Sequence, residues 1–242
     1  LDVFASGHSE DEFWYTNVPG NSTPDASGGG AVRELVVAVD GITAGGLLPF
    51  PVIYSGGINP LAWRPVAGIA QFDVPPYRFD LTPFAGYLNN KTHNVTVSVL
   101  DATHVWYVDP VLLAWTSDDA VSGDLLDYAE TPLSAIVLLK NTSHRQHYIT
   151  QGTHDVTVTG TTVINGTLVS TTTVATSTIT SNDNLLVDEG VAFTQFTMAT
   201  MESTVNVTTL FANGTLETVV TSSVFPIAVD LAQIGDVIEA NI

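Results

Sequence analysis

The strict two-residue alternation of the second half of this chain constrains its fold more than any other feature. Through His154-Asp155-Val156-Thr157-Val158-Thr159-Gly160, Thr161–Thr180, Phe193–Thr200 and Val205–Phe225, Thr alternates with Val, Ile or Leu. A period of two is that of a β-strand, whose successive side chains point to opposite faces. The pattern therefore predicts long antiparallel strands with one buried face and one solvated, Thr-covered face. Asn165-Gly166 and Asn213-Gly214 fall between such runs. Asn-Gly suits the positive φ angles of a type I′ turn, so both are expected to close hairpins.

Residues 1 to about 115 read as shorter strands separated by Gly, Pro and Asn turns. They are expected at Leu1–Ser6, Glu12–Asn17, Val32–Asp40, Phe50–Tyr54, Tyr77–Leu81, Asn94–Leu100 and Val105–Trp115. Asp40-Gly41 is a turn dipeptide that should close a hairpin. Gly20–Gly30 is polar and Gly-rich, and reads as an exposed loop. Ser117–Glu130 is acidic, with Asp118, Asp119, Asp124 and Asp127, and reads as a connector or short helix. The expected organisation is all-β: a sandwich over 1–116, a connector over 117–134, and a Thr-rich antiparallel domain over 135–242.

Of the 242 residues, 45% are hydrophobic and 13% charged, enough for a sizeable core and unlike a disordered chain. Six Lys and Arg against 25 Asp and Glu give a net charge of −19, which repels phosphate backbones and anionic membranes. Nucleic acid is excluded as a partner on that ground. The sequence pI of about 4.1 suits a protein that works in acid. No apolar run is long enough for a membrane-spanning helix. Cysteine is absent, so disulfides and thiolate metal sites play no part.

Sequons at Asn21, Asn90, Asn94, Asn141, Asn165, Asn206 and Asn213 predict a glycoprotein that is secreted or vacuolar. The chain opens in a strand-like run without an initiator Met. It reads as a separated portion of a longer precursor whose partner chain completes the fold.

The candidate chemistry lies in Gly7-His8-Ser9-Glu10-Asp11-Glu12-Phe13-Trp14-Tyr15. Adjacent carboxylates raise each other's pKa and aromatic neighbours exclude water, conditions that poise an acid for proton transfer. The same residues also read as a solvated acidic turn ahead of a strand. On a strand, Asp11 and Phe13 would oppose Glu12 and Trp14, leaving one acid to face a cleft and Glu10 exposed. Trp14, Trp63, Trp106 and Tyr107 offer flat faces to pyranose rings, or fill a core. His8 reads as a proton relay or as an orienting residue at a strand end. His144-x-x-His147 lacks a third patterned ligand, so no metal site is assigned. Neither a phosphate loop nor a serine-hydrolase elbow is present.

Several ordered segments carry a family resemblance: Asp11-Glu12-Phe13-Trp14-Tyr15, Asp40-Gly41, Pro49-Phe50-Pro51, Gly56-Gly57-Ile58-Asn59-Pro60-Leu61-Ala62-Trp63-Arg64-Pro65 and Phe79-Asp80-Leu81-Thr82-Pro83-Phe84. Together they resemble the plant and fungal peptide:N-glycanase A amidases over about the first 115 residues. The resemblance implies hydrolysis of the β-aspartylglucosylamine bond between an N-glycan and Asn, leaving Asp, with no metal or organic cofactor. It also implies a jelly-roll sandwich, because the family is similar to the bacterial peptide:N-glycosidase F, built from two side-by-side jelly rolls with acidic groups at their interface. Precursors of the family are processed into two associated chains, so this chain would be the later one, a heterodimer partner of an upstream chain carrying the first jelly roll. An N-glycopeptide or glycoprotein is the implied substrate.

The resemblance gives Glu12 the role of an acid facing the substrate and sets Arg64 in the same cleft. Asp11, one residue away, is expected to tune Glu12 by like-charge coupling. Trp14, Trp63 and His8 are the expected substrate contacts. The principal Asp of the first jelly roll has no counterpart in this sequence. The alternative is a non-catalytic β-sandwich that binds glycan or scaffolds a partner.

Overall fold

The computed structural model describes residues 1–242 except 19–28, 62, 90, 120, 135, 143–144, 189–191, 235–236 and 242. Among the described residues all strand pairings are antiparallel, in the all-β class expected. One three-stranded sheet holds β1 (Asp2–His8), β4 (Tyr77–Arg78) and β6 (Val105–Val111), in the order β4-β1-β6. A second holds β2 (Glu34–Val39), β3 (Ile42–Leu47) and β5 (Val95–Leu100), in the order β3-β2-β5. The large sheet is built on β10 (Arg145–Ile164), β11 (Thr167–Asp188), β12 (Ala192–Phe211), β13 (Leu216–Ile234) and β14 (Val237–Asn241). Along the far edge of β10 run β7 (Val121–Ser122), β8 (Leu125–Thr131) and β9 (Ile136–Asn141).

The long strands follow the period-two pattern, with β10 and β11 paired without a break from Arg145↔Leu186 to Ile164↔Thr167. Asn165 and Gly166 close that hairpin at φ 48° and 78°, and Asp40 and Gly41 close β2–β3 at 50° and 84°. Asn213-Gly214 departs from the two-residue turn expected. There Asn213 Oδ1 accepts the Thr215 N–H at 2.9 Å, and the Phe211 N–H donates to the Thr215 carbonyl, so the loop is longer.

The polarity of the long sheet's faces corrects the sequence reading. The buried face of β11 carries Thr171, Thr173, Ser177, Ser181 and Asp183 beside Ala175, Ile179 and Leu185. The reason is the close approach of β3, an edge strand of its own sheet. A Cβ on Gly45 would lie 3.6 Å from the Ala175 Cβ, so only small side chains fit opposite. Hydroxyls then satisfy the edge backbone: Ser177 Oγ donates to the Gly46 carbonyl at 2.8 Å, and Ser203 Oγ accepts the Leu48 N–H at 3.1 Å. A Cβ on Gly46 would sit 2.2 Å from Glu34 Oε1 and 2.8 Å from His154 Nδ1. Gly46→Ala is therefore expected to lower stability by about 1–3 kcal/mol, the usual cost of overpacking, read as a lower urea midpoint.

Two apolar clusters join the halves. One combines Val3, Leu35, Val37 and Phe79 with Val156, Val158 and Ala175, and the other combines Trp14, Tyr15 and Ile53 with Ile179, Met201 and Val229. Packing thus runs across the expected boundary at 117–134. Within that segment, β7 and β8 replace the connector or short helix expected. Phe50–Tyr54 forms no strand, and β6 stops at Val111 instead of running to Trp115.

Candidate active site

β1 ends at His8, Ser9 turns at φ 58°, and the chain passes through two 3-10 turns, Ser9–Asp11 and Trp14–Thr16. These replace the strand expected over Glu12–Asn17, although Phe13, Trp14 and Tyr15 are good strand formers. Tertiary contacts of Asp11 override that local preference. Its side chain is fully buried against the equally buried Arg33, with Nη2 at 2.6 Å and Nε at 3.0 Å from Oδ1. Thr103 Oγ1 also donates to Oδ1, at 2.7 Å. Oδ2 accepts the Thr103 and His104 backbone N–H groups at 2.9 and 3.0 Å and the Trp106 indole N–H at 3.0 Å. Gly7 is required beneath this turn, because a Cβ there would lie 2.2 Å from the Asp11 carbonyl oxygen.

Burial alone would raise the Asp11 pKa, but the donors from Thr103, Arg33 and His104 outweigh it and hold the carboxyl at about 2. Asp11 is accordingly an anchor that stays ionised down to about pH 2. Asp11, expected to tune Glu12, forms a buried ion pair with Arg33.

Glu12 follows directly and is different in kind. It is half-buried, and its carboxylate has no hydrogen bond or ion pair among the described residues. Burial and then the Glu12 charge raise the phenol pKa values of Tyr15 and Tyr54, which places both rings within its field. The backbone around it is pinned on several sides. Tyr15 Oη donates to the Val52 carbonyl at 3.0 Å, Asn17 Nδ2 to the Glu10 carbonyl at 3.1 Å, and Gln195 Nε2 to the Thr16 carbonyl at 2.7 Å. Trp14, expected as a sugar-stacking surface, is 2% exposed and packs against Ile179 and Met201, so it serves the core.

An open groove of about 640 Å³ is lined by Phe4, Ser6, Tyr54, Phe72, Tyr107 and Asp109, with Trp106, the indole donor to Asp11, in its wall, while Glu12 itself does not line it. His8 stands at its rim, its ring 4.3 Å from that of Tyr107 and its Nε2 3.0 Å from Ser6 Oγ. Tyr107 is 66% exposed and Phe72 83%, so flat apolar faces are open to solvent there.

Arg64 and Trp63 are placed elsewhere. Arg64 is exposed, with Nη1 3.5 Å from the Pro60 carbonyl and no hydrogen bond or ion pair to Glu12 among the described residues. Its loop crosses Phe13, since a Cβ on Gly57 would lie 3.0 Å from that ring. Trp63, at φ 60°, lines a separate apolar groove of about 300 Å³ with Phe50, Ile53, Phe225 and Ile227. Asn94, Asn165 and Asn213 are exposed and Asn206 is half-buried, whereas Asn21 and Asn90 lie outside the described residues and Asn141 ends β9. His147 Nε2 lies 2.8 Å from Asn182 Oδ1, and His144 is outside the described residues.

Sequence reasoning missed Arg33, Tyr54, Thr103 and Gln195. Arg33 carried a signal: one of six basic residues in the chain, it stands beside Glu34 inside the apolar run Ala31–Val39. Charges so placed are buried in pairs. The long-range partners Thr103 and Gln195 had none.

Fold and site together define an antiparallel all-β protein with an unpaired carboxylate, Glu12, whose charge acts on Tyr54, a residue that lines an aromatic-walled groove. Residues 1–130, more than half of the chain, match the family described as Peptide N-acetyl-beta-D-glucosaminyl asparaginase amidase A, and the chain belongs to that family. It is also 38% identical over 168 residues to a peptide-N4-(N-acetyl-beta-glucosaminyl)asparagine amidase A of Prunus dulcis. That match spans 66% of this chain and 29% of the relative's length. No solved structure matches the chain at a significant level. Among the described residues, no helix is long and apolar enough to cross a membrane.

Proposed function

We propose that this chain supplies one wall of a peptide-N-glycosidase active site, hydrolysing the β-aspartylglucosylamine bond of N-glycoproteins and glycopeptides. The observation that carries the reading is the contrast between neighbours: Asp11 is saturated with donors, whereas Glu12 is held on a fixed turn with its carboxylate unpaired among the described residues. Keeping one carboxylate unsatisfied, with its charge acting on the groove-lining Tyr54, fits a group whose partner is substrate.

In the reaction, water adds to the amide carbonyl carbon, the C–N bond breaks, and the nitrogen leaves with a proton as glycosylamine, while Asn becomes Asp. Glu12 positions the water or the substrate amide, and an Asp from a segment outside this chain acts as the main base. Arg64, exposed on the loop that crosses Phe13 and bonded only to the Pro60 carbonyl among the described residues, stabilises the developing oxyanion once the site is assembled. His8 contacts the substrate from the groove rim. Trp63 contacts substrate only if binding reaches the apolar groove along β13.

The site is completed by an upstream chain of the same precursor, in a heterodimer. The short coverage of the relative and the exposed Phe4, Val111, Leu112 and Trp115 around β6 support that arrangement. The protein takes a secretory route to the outside or the vacuole, supported by the exposed sequons.

The test is glycan release from a short N-glycopeptide, read by mass as conversion of Asn to Asp. Glu12→Gln is expected to fold normally and to lose about 10²-fold or more in kcat. Unchanged release by this variant would instead favour a non-catalytic glycan-binding wall, to which the exposed Tyr107 and Phe72 also lend themselves.

A further inference from the structure

The family match ends at residue 130, yet the turn that carries Glu12 rests on the long sheet beyond it. Asp183 on β11 is 1% exposed and Gln195 on β12 is 5% exposed. The Thr197 hydroxyl donates to Asp183 Oδ1, and the Ser181 hydroxyl donates to Oδ2 at 2.9 Å. Gln195 Nε2 donates twice, to Thr197 Oγ1 at 3.2 Å and to the Thr16 carbonyl at 2.7 Å.

Above about pH 6 Asp183 is ionised and sets the direction of these bonds. The carboxylate then only accepts, so the Thr197 proton is committed to Asp183, and the Thr197 oxygen is left to accept from Gln195. The Gln195 amide is thereby oriented with its NH2 toward Thr16. A flipped amide would set its own oxygen against the Thr16 carbonyl. Thr16 in turn binds the Phe13 carbonyl through both its N–H, at 2.9 Å, and its hydroxyl, at 2.8 Å. That carbonyl belongs to the residue after Glu12.

We propose that Gln195, oriented by Asp183 through Thr197, is a positioning residue for the Glu12 carboxylate. The inference rests on Glu12 acting on substrate, as argued above. It assigns the Thr-rich sheet a part in the site, in addition to burying Trp14. The groups around Asp183 fit a carboxylate used for orientation. Tyr148 is its cross-strand neighbour on β10, with His147 the nearby basic group, and its partners on β12 are neutral. Burial raises its pKa, the Thr197, Ser181 and Gln195 bonds oppose this, and the result is about 6.

The experiment compares Gln195→Leu, Thr197→Val, Thr197→Ser and Glu12→Gln in the full-length protein that carries this chain. It reads kcat and KM for an N-glycopeptide, together with hydrogen exchange at the Thr16 and Asn17 amides. Those amides donate to the Phe13 and Trp14 carbonyls. Gln195→Leu and Thr197→Val are expected to speed that exchange and lower kcat by about tenfold, with KM nearly unchanged. Thr197→Ser, which keeps the hydroxyl, is expected to behave as wild type.

Unchanged exchange and kcat in Thr197→Val, a nearly isosteric change, would overturn the proposal. So would faster exchange spread evenly along β11 and β12, which marks general loosening. Full activity in Glu12→Gln would instead remove the functional reading beneath it. The exchange at Thr16 and Asn17 would then still report whether Gln195 holds the turn.

Discussion

Asp11→Ala and Arg33→Leu are each expected to destabilise the protein by about 3–5 kcal/mol, the cost of leaving a buried charge without its partner. Both side chains are fully buried, so neither can turn out to solvent when the other is lost. Asp11→Ala has the further consequence of orphaning the Thr103 and His104 N–H groups and the Trp106 indole N–H. Against a typical total of about 5–15 kcal/mol, either loss is large. Urea unfolding followed by Trp fluorescence measures it. A change below about 1 kcal/mol would mean that water enters and solvates the remaining charge, contrary to the full burial of both side chains.

The same pair has a pH signature of definite sign. Asp11 is held at about 2 against an ordinary 3.8, so its folded pKa is depressed. Its contribution is fully present above 3.8 and is lost as pH falls through about 2. The ion pair therefore supports folding throughout the mildly acidic range that the pI suggests. Asp11→Asn should show a weaker fall in stability over that acid window than the wild type.

What could be read from the chain follows from the range of each interaction. Strand repeats and the turns at Asp40-Gly41 and Asn165-Gly166 depend on neighbours in sequence, and they were legible. Glu12 was singled out from the acidic run, but for an incomplete reason: the decisive fact is that Asp11 turns inward to Arg33, 22 residues away. That pairing bends the chain into 3-10 turns and sends Trp14 into the core. The buried Ser and Thr of β11 were misjudged because polarity alone does not show that a glycine-bearing edge strand will lie against them. Trp63 and Arg64 were grouped by adjacency, yet opposite sides of one loop carry them to different surroundings. The contribution of Gln195 spans 179 residues and has no local pattern at all.

His154 joins the two halves of the chain by charge as the apolar clusters do by packing, and its removal is the other large effect expected. Its Nδ1 lies 2.9 Å from Glu34 Oε2 and its Nε2 lies 3.1 Å from Glu130 Oε1. Glu34 is fully buried, so His154→Leu should destabilise by about 3–5 kcal/mol, as for any buried charge stripped of its partner. Burial would lower the His154 pKa, but Glu34 and then Glu130 outweigh it and raise the value above 6.5. A raised pKa places the stabilisation below 6.5, and it fades as pH climbs through the folded value.

Asp183 adds a separate slope of the same sign at lower pH, between its ordinary 3.8 and about 6. Self-repulsion of a chain with net charge −19 also weakens folding as pH rises, so a falling curve alone identifies none of these sources. Comparison of variants separates them, because the background repulsion is nearly common to all. His154→Gln should flatten urea midpoints measured above about pH 6.5 while leaving the slope below about pH 6 intact, and Asp183→Asn should do the reverse. Parallel curves for wild type and His154→Gln would show that His154 does not change protonation on unfolding in this range.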